Sequence, residues 1–298
     1  MKNDTVNDWI NKYIIMTMRL FNRQKVLLNT ISELTKKNIY SRRAIVKSQF
    51  LLKEEYGVAD EIKFYNFFAY KQGPFSHLCF HDLRSLKNEN LIDANETKLT
   101  KDGEIVLEGL NKLFNEKIVS LLGRFSTELQ MKNYVYNHYP AYTVKSELIN
   151  QTPEKQTGGF FTIGYEGKDI DAFLNILIKN KIKLLIDVRK NPFSMNFSYV
   201  KSTLKKYLAS VEVEYLHIPE LGIESEYRKD LKTKEDYEKL FAEYRKRLPL
   251  KEVYINRIIE LGKRKKIALL CYEKDPEFCH RGQIANAVRH KKYGVVDL

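Results

Sequence analysis

Cysteine and long apolar runs are scarce in this sequence. It contains only three cysteines, Cys79, Cys271 and Cys279, in 298 residues. This odd, low count argues against a disulfide framework and indicates a reducing compartment. No apolar run is long enough to span a bilayer, and the N-terminal segment carries acidic residues where a signal peptide has an apolar centre. We therefore expect a cytoplasmic protein without a membrane partner.

Acidic residues are too few to balance the basic ones. The chain has 51 Lys and Arg against 38 Asp and Glu, which gives a net charge of +13. This excess favours an anionic partner, with DNA or another nucleic acid first and a small anionic ligand second. A genome biased towards Lys and Asn explains the same composition, so charge alone leaves both explanations open. With 43% hydrophobic and 30% charged residues, the composition is globular and the length suits two domains.

One polar segment predicts a domain boundary. QTPEKQTGG, residues 151–159, contains Pro and a Gly pair and shows no apolar periodicity. We interpret it as a linker between an N-terminal domain, residues 1–150, and a C-terminal domain, residues 160–298.

The N-terminal domain has helical periodicity. RQKVLLNTISELTKKN and SRRAIVKSQFLLKEEYG predict two helices, the second capped by Ser41 and ended by Gly57. A third helix follows GPFS, and LEGLNKLFNEKIVSLLGRFSTELQ predicts a further helix. ANETKLTKDGEIV has the alternation and the Asp-Gly turn of a hairpin. Three helices followed by a small hairpin predict a mainly α, winged-helix-like domain.

The C-terminal domain alternates between strands and helices. FFTIGYE, IKLLIDVR, VEYLHIP and KIALLCYE predict four strands, each followed by a helical segment. This order favours an α/β domain with a mostly parallel sheet and right-handed crossovers. LLIDV and IALLC are nearly continuous apolar runs, as expected for strands that are buried on both faces.

Polar residues follow all four predicted strands. Ligands of open parallel sheets bind at the carboxyl ends of the strands, so we predict one site there. The predicted catalytic residues are Glu166, Asp187, Glu273, Cys279 and His280. The predicted ligand-binding residues are Tyr165, Arg189, Ser194, Glu220, Tyr272 and Arg281.

The segment Cys279-His280-Arg281 stands at the predicted start of the last helix. A helix N-terminus attracts anions and lowers the pKa of a nearby thiol, so Arg281 is a candidate phosphate ligand and Cys279 a candidate nucleophile. In the alternative interpretation, Cys279 packs as a small apolar residue and Arg281 pairs with Asp187 or Glu273.

Zinc-ligand types also occur here. Cys271, Cys279, His280 and His217 all follow predicted strands. Seven residues separate the two cysteines, which is not the spacing of a tight ligand pair. The signal for zinc is therefore weak, so we assign no metal ligands, while metal dependence and the cofactor stay open.

The motifs TIGYEG, IDVRKNPFS, LHIPELG and LLCYEKDPEFCHRGQIA resemble domain-of-unknown-function family 488 over residues 160–296. The resemblance implies no reaction, and this chain has Val296-Asp297-Leu298 where members tend to end with a His. The recurring polar positions implied by the resemblance are Tyr165, Glu166, Asp187, Arg189, Pro192, Ser194, Glu220, Cys271, Glu273, Cys279, His280 and Arg281.

Two weaker resemblances concern the fold. YNFFAYKQGPFSHLCFHDLRSLKNENLI and YVYNHYPAYTVKSEL resemble a module related to SocA-type antitoxins, over residues 20–150. That resemblance implies a winged-helix-like unit for contact with DNA or protein. The C-terminal half is also similar in outline to rhodanese domains, whose nucleophile would be matched by Cys271, although the loop after Cys271 is longer and more acidic than theirs.

Two classes of function follow from these features. In the first, the α/β domain is an enzyme acting on a nucleotide, a nucleic acid or another phosphate-bearing substrate. In the second, the protein is a non-catalytic, DNA-linked sensor or regulator, or a component of a bacterial defence system.

Overall fold

The computed structural model describes residues 19–110, 113–148, 157–228, 231 and 233–298. The chain divides into two compact units, Met1–Asn150 and Gln151–Leu298. Most of the predicted linker lies outside the described residues, and its last residue, Gly159, already begins a strand. No described helix combines the length and the apolar character needed to cross a membrane.

The N-terminal unit consists mainly of helices. A short antiparallel hairpin pairs β1 (Phe68–Tyr70) with β2 (Gly73–Phe75). The described helices are α1 (Asn22–Lys36), α2 (Arg42–Tyr56), α3 (Val58–Glu61), α4 (His77–Asn88), α5 (Lys101–Gly109), α6 (Asn115–Gly123) and α7 (Glu128–His138).

Helix α2 begins and ends where the sequence predicts. Ser41 Oγ accepts a hydrogen bond from the Ala44 amide at its start. Gly57 follows its last residue in the left-handed conformation, with φ at 63°, and donates to the Leu52 carbonyl. Glycine adopts this backbone conformation without strain, so the predicted stop is confirmed.

The predicted hairpin over ANETKLTKDGEIV is wrong. Asp102 and Gly103 lie in the first turn of α5, and Thr100 Oγ1 caps this helix by accepting from the Gly103 amide at 3.1 Å. A capping Thr followed by first-turn acids favours a helix start over a turn. Only an isolated antiparallel bridge, Ile92 to Leu99, is formed by the described residues of this segment. The winged-helix assignment stays a prediction.

The helix predicted over LEGLNKLFNEKIVSLLGRFSTELQ is broken into pieces. Helix α6 ends at Gly123, and α7 begins at Glu128 after Thr127, whose side chain accepts from the Gln130 amide at 3.2 Å. The capping Thr provides a new helix start that apolar periodicity alone does not reveal.

The C-terminal unit confirms the α/β prediction. Its described strands are β3 (Gly159–Gly164), β4 (Leu184–Asp187), β5 (Glu214–His217), β6 (Lys266–Cys271) and β7 (Val295–Asp297), and its described α-helices are α8 (Ile170–Lys179), α9 (Lys201–Ser210), α10 (Lys234–Arg247), α11 (Glu252–Arg264) and α12 (His280–His290). The strands form a sheet in the order β5-β4-β6-β3-β7, and every described pairing is parallel. The sequence analysis did not predict β7.

The strand register brings four carboxyl ends to one edge of the sheet. Gly164 pairs with Cys271, and Asp187 pairs with both Leu270 and His217. All residues of β6 after Lys266 are buried, as expected for a middle strand covered on both faces. The loops that carry the predicted polar residues therefore begin next to one another at this edge of the sheet.

Candidate functional site at the carboxyl edge of the sheet

The carboxyl end of β4 carries a buried ion pair. Arg189 Nε donates to Asp187 Oδ1 at 2.9 Å, and Arg189 Nη2 donates to Oδ2 at 2.6 Å. Both side chains are almost completely buried. Burial opposes the charge of Arg189, but the hydrogen bonds and the charge of Asp187 outweigh it and raise the pKa of the guanidinium. These two predicted site residues are thus held together as ions.

Three tyrosines surround this pair. Tyr165 Oη accepts from Arg189 Nη1 at 3.1 Å, and Tyr215 donates to Asp187 Oδ2 at 2.7 Å. The Tyr199 ring stacks on the Tyr165 ring with 4.2 Å between their centroids. Burial and the charge of Asp187 raise the pKa of Tyr215, which keeps its hydroxyl as a donor. The sequence analysis predicted Tyr165 but missed Tyr199 and Tyr215.

Two cysteines and a histidine meet at the carboxyl end of β6. One ligand atom from each of Cys271, Cys279 and His280 lies within 4.8 Å of the other two, and all three residues are buried. Cys271 Sγ is 3.5 Å from His280 Nδ1. His280 Nε2 lies 2.9 Å from the carbonyl oxygen of Val188. Because a carbonyl only accepts, Nε2 carries a proton, and Nδ1 is the ring nitrogen that faces Cys271.

The two thiols differ in acidity. Burial raises the pKa of Cys279, and its hydrogen bond with Cys271 raises it further. Burial also opposes ionisation of Cys271, but the hydrogen bond with Cys279 and the positive charge of Arg228 outweigh it and lower the pKa of Cys271. The predicted lowering of the pKa of Cys279 by the helix N-terminus is therefore wrong, because burial and Cys271 act in the opposite direction.

Glu273 lies between the buried cluster and the surface. Its Oε2 is 3.5 Å from Cys271 Sγ, and its Oε1 accepts a hydrogen bond from Arg228. The Glu273 side chain is 11% exposed and the Arg228 side chain is 33% exposed. Arg228 lies in the 3₁₀ turn Ser225–Arg228, far from the predicted strand ends in sequence, and the sequence analysis missed it. Its guanidinium, more exposed than the Glu273 carboxylate, lies on the solvent side of the pair.

Arg281 ties the start of α12 to the loop after β6. It is fully buried and donates to the backbone carbonyls of Glu273 and Lys274 and, at 3.4 Å, to Thr162 Oγ1. The partners of the Arg281 guanidinium are thus main-chain carbonyl oxygens, whereas the sequence predicted a side-chain carboxylate or a phosphate. An anion reaches this guanidinium only if the loop opens.

Gly164 allows this loop to approach the sheet. A Cβ atom at Gly164 would lie 1.8 Å from the carbonyl oxygen of Glu273, closer than any side chain permits. Two hydrogen bonds also join this loop to Glu166, which follows β3. The Glu166 amide donates to the Tyr272 carbonyl at 2.9 Å, and Glu166 Oε2 accepts from the Lys274 amide at 2.8 Å.

The remaining predicted residues occupy the rim or lie outside the cluster. Tyr272 is 45% exposed and packs edge-on against Tyr165 with 5.3 Å between ring centroids. Ser194 Oγ accepts from the Asn196 amide within its own loop, and Glu220 is exposed in the 3₁₀ turn Pro219–Leu221. Among the described residues, neither of these two side chains joins the hydrogen-bonded cluster.

His217 also stays apart from the cysteines. Its Nε2 donates to the carbonyl oxygen of Arg189 at 2.9 Å, and its Nδ1 is 3.1 Å from Lys201 Nζ. Of the four potential zinc ligands in the sequence, the fold therefore assembles Cys271, Cys279 and His280 but not His217.

A groove of about 380 Å³ lies beside the same loop but does not reach the cluster. Its lining includes residues of α10, α12 and the turn Pro276–Phe278, among them Lys234, Tyr237, Arg245, Phe278, Gln283 and Arg289. None of the eleven residues predicted to form the site lines it.

The family model described as "Domain of unknown function DUF488" matches residues 169–288. No curated protein and no solved structure matches the chain. The resemblance of the N-terminal half to SocA-type antitoxins finds no family match and stays a prediction. For the C-terminal half the match supports the resemblance, because the model of the family of unknown function 488 covers residues 169–288.

Proposed function

We propose that the C-terminal unit is an enzyme that acts on a nucleotide, a nucleic acid or another phosphate-bearing substrate at the carboxyl edge of its sheet. The observation that carries this proposal is the ion pair between Arg228 and Glu273 at the rim of a buried polar cluster. A guanidinium binds phosphate with two parallel hydrogen bonds, so a phosphate competes directly with the Glu273 carboxylate for Arg228.

Displacement of this pair would place a carboxylate next to the bound substrate. Glu273 would then be free to accept a proton from an attacking group, with Glu166 as the second acid at the rim. Asp187 and Arg189 would hold the end of β4 in place and would not contact the substrate, because their charges are already paired with each other. Arg228 takes the phosphate-binding role in this proposal, since the donors of Arg281 are committed to carbonyl oxygens.

Exposed aromatic side chains support a nucleic acid as the substrate class. Phe193 and Phe197 are 72% and 73% exposed in the loop after β4, and Tyr272 follows β6. Bases stack on such rings without regard to sequence, and the net charge of +13 attracts the backbone.

The test compares binding and turnover in the full chain. We expect single-stranded oligonucleotides or nucleotides to bind the native protein, and mass spectrometry to detect a product. Arg228→Ala should weaken binding at least about tenfold, which corresponds to one lost charge-assisted contact. Glu273→Gln should bind and give no product, while Glu220→Gln, an exposed acid outside the cluster, should behave as the native protein.

Two outcomes would contradict the enzyme. Equal turnover by Glu273→Gln removes the proposed proton acceptor. Binding without any product from the native protein favours the sensor or regulator instead.

The sensor alternative has support in the N-terminal unit. Helix α4 exposes His81, Arg84 and Lys87 immediately before the bridge between Ile92 and Leu99. A basic helix followed by an antiparallel bridge is similar in outline to the helix and wing that winged-helix proteins present to duplex DNA. If this surface binds DNA, affinity for a duplex should fall steeply with salt, and Arg84→Glu should abolish it.

A further inference from the structure

The cluster of Cys271, Cys279 and His280 has the composition and the geometry of a metal site. We propose that these three side chains bind a zinc ion, with the fourth coordination position left to water or to a substrate oxygen. This proposal goes beyond the proposed reaction, because a metal can be bound there whether or not the unit turns over a phosphate-bearing substrate.

The distances suit tetrahedral zinc. With Zn–S near 2.3 Å and Zn–N near 2.0 Å, two ligands on one ion are about 3.5–3.8 Å apart. Cys271 Sγ and His280 Nδ1 are separated by 3.5 Å, and the three ligand atoms all lie within 4.8 Å of one another. The third ligand atom, Cys279 Sγ, thus lies within about 1 Å of the spacing that zinc requires.

The histidine is already in the tautomer that a metal needs. Its Nε2 proton is held by the Val188 carbonyl at 2.9 Å, which leaves the Nδ1 lone pair for the ion. Metal-bound histidines usually donate their second ring nitrogen to a carbonyl or carboxylate in this way, and the bond fixes the ring orientation. Val188 follows directly after β4, so the neighbouring strand orients the ligand.

Glu273 lies beside one of the three proposed ligands. Glu273 Oε2 lies 3.5 Å from Cys271 Sγ, also the spacing of two ligands on one ion, while its other oxygen is bound to Arg228. Glu273 is therefore close to the proposed ion, and the fourth position is open to water or a substrate oxygen. Two thiolates and an imidazole select zinc over Mg²⁺ and Ca²⁺, which prefer oxygen ligands.

The seven-residue separation of the cysteines does not prevent this site. Cys271 ends β6, and the 3₁₀ turn Pro276–Phe278 folds the chain back so that Cys279 precedes α12. A buried hydrogen-bonded trio without a metal, or a disulfide between the two cysteines, would explain the same closeness, and the experiment has to separate these outcomes.

The first measurement is the metal content of the full chain, produced with zinc and freed of loosely bound ions. We expect about one zinc per chain, four-coordinate as in other Cys and His sites. His280→Ala and Cys279→Ser should each lose most of the metal. Cys79→Ser, a buried cysteine of the N-terminal unit, is the matched control and should keep it.

Cobalt provides a readout that does not depend on any variant or on activity. When Co²⁺ is added to the metal-free native protein, thiolate-to-cobalt charge-transfer bands and intense tetrahedral d–d bands should appear and saturate at one ion. Circular dichroism shows whether each variant is folded. A native protein that retains no zinc and gives no such bands would overturn the proposal, and so would a Cys271–Cys279 disulfide in protein that has never held a metal.

Discussion

Arg189 donates to both carboxylate oxygens of Asp187, the residue two positions before it, at 2.9 and 2.6 Å. The pair lies at the carboxyl end of a buried strand, and the hydroxyls of Tyr165 and Tyr215 complete its hydrogen bonds. Two charges so far from solvent are tolerated because each satisfies the other. The pair therefore fixes the strand end next to the cysteine cluster.

Removal of one charge from this pair should be costly. We expect Asp187→Asn to destabilise the C-terminal unit by about 3–5 kcal/mol, because it leaves the buried Arg189 without a counter-charge. The measurement is urea unfolding followed by far-ultraviolet circular dichroism. Glu243→Gln, which removes one partner of the exposed pair with Lys246, should leave the free energy of unfolding essentially unchanged. A loss below about 1 kcal/mol in Asp187→Asn would show that the pair is not a buried ion pair.

The close contact between Gly164 and the loop after β6 should also contribute to the stability of the C-terminal unit. Gly164→Ala places a methyl group where the Glu273 carbonyl now lies, 1.8 Å from the new Cβ. We expect a loss of about 1–3 kcal/mol from overpacking and a displaced Glu273. Gly294→Ala is the control, because a Cβ there meets no atom within 4 Å. Equal stability of the two variants would mean that the loop does not pack on β3.

The stability of the N-terminal unit should depend on pH through Lys47. Burial lowers the pKa of Lys47 to about 8, although Glu128 acts in the opposite direction, and its Nζ donates to the Gln72 carbonyl. Between this value and the ordinary 10.5, the unfolded chain binds the extra proton, so the contribution of Lys47 to stability rises with pH in that window.

The test compares the native protein with Lys47→Met at two pH values. From pH 7 to pH 10, the native protein should gain about 2–3 kcal/mol relative to the variant, measured by urea unfolding. A difference that is independent of pH would show that the amine of Lys47 is solvated. Lys246→Met, at an exposed position, should show no such change.

The aromatic loop should contribute to nucleic acid binding. If bases stack on Phe193 and Phe197, each change to Ser should weaken binding of a single-stranded oligonucleotide by about 1–3 kcal/mol, or roughly 5- to 150-fold. Fluorescence anisotropy measures this directly. Leu250→Ser removes a side chain that is even more exposed, at 86%, and should leave affinity unchanged. If Leu250→Ser weakens binding as much as the changes at Phe193 and Phe197, the oligonucleotide makes only non-specific apolar contacts with the protein.

The sequence predicted the strands of the α/β unit because apolar runs such as LLIDV mark buried strands. It missed β7, since the three residues Val295–Asp297 are too short to show a period. It mistook Asp102-Gly103 for a hairpin turn, because the cap provided by Thr100 competes with the turn signal. The helix cap at Thr100 thus determined the structure of a segment whose sequence pattern also fits a turn.

The candidate site was predictable at the strand ends and not elsewhere. Asp187 and Cys271 end strands, and Arg189 and His280 follow them in the chain, so the general location of ligands in parallel sheets identifies these four residues. Tertiary packing places Tyr199, Tyr215 and Arg228 at the site, and no local sequence pattern predicts this. The opposite pKa shifts of Cys271 and Cys279 depend on burial and on the charge of Arg228, neither of which the sequence displays.

The most direct test is a crystal of the full chain soaked with a nucleotide. If the carboxyl edge is the site, phosphate oxygens will lie within hydrogen-bonding distance of Arg228, and the carboxylate of Glu273 will have left that guanidinium. Phosphate bound instead in the groove lined by Lys234, Arg245 and Arg289, with the Arg228–Glu273 pair intact, would contradict the account.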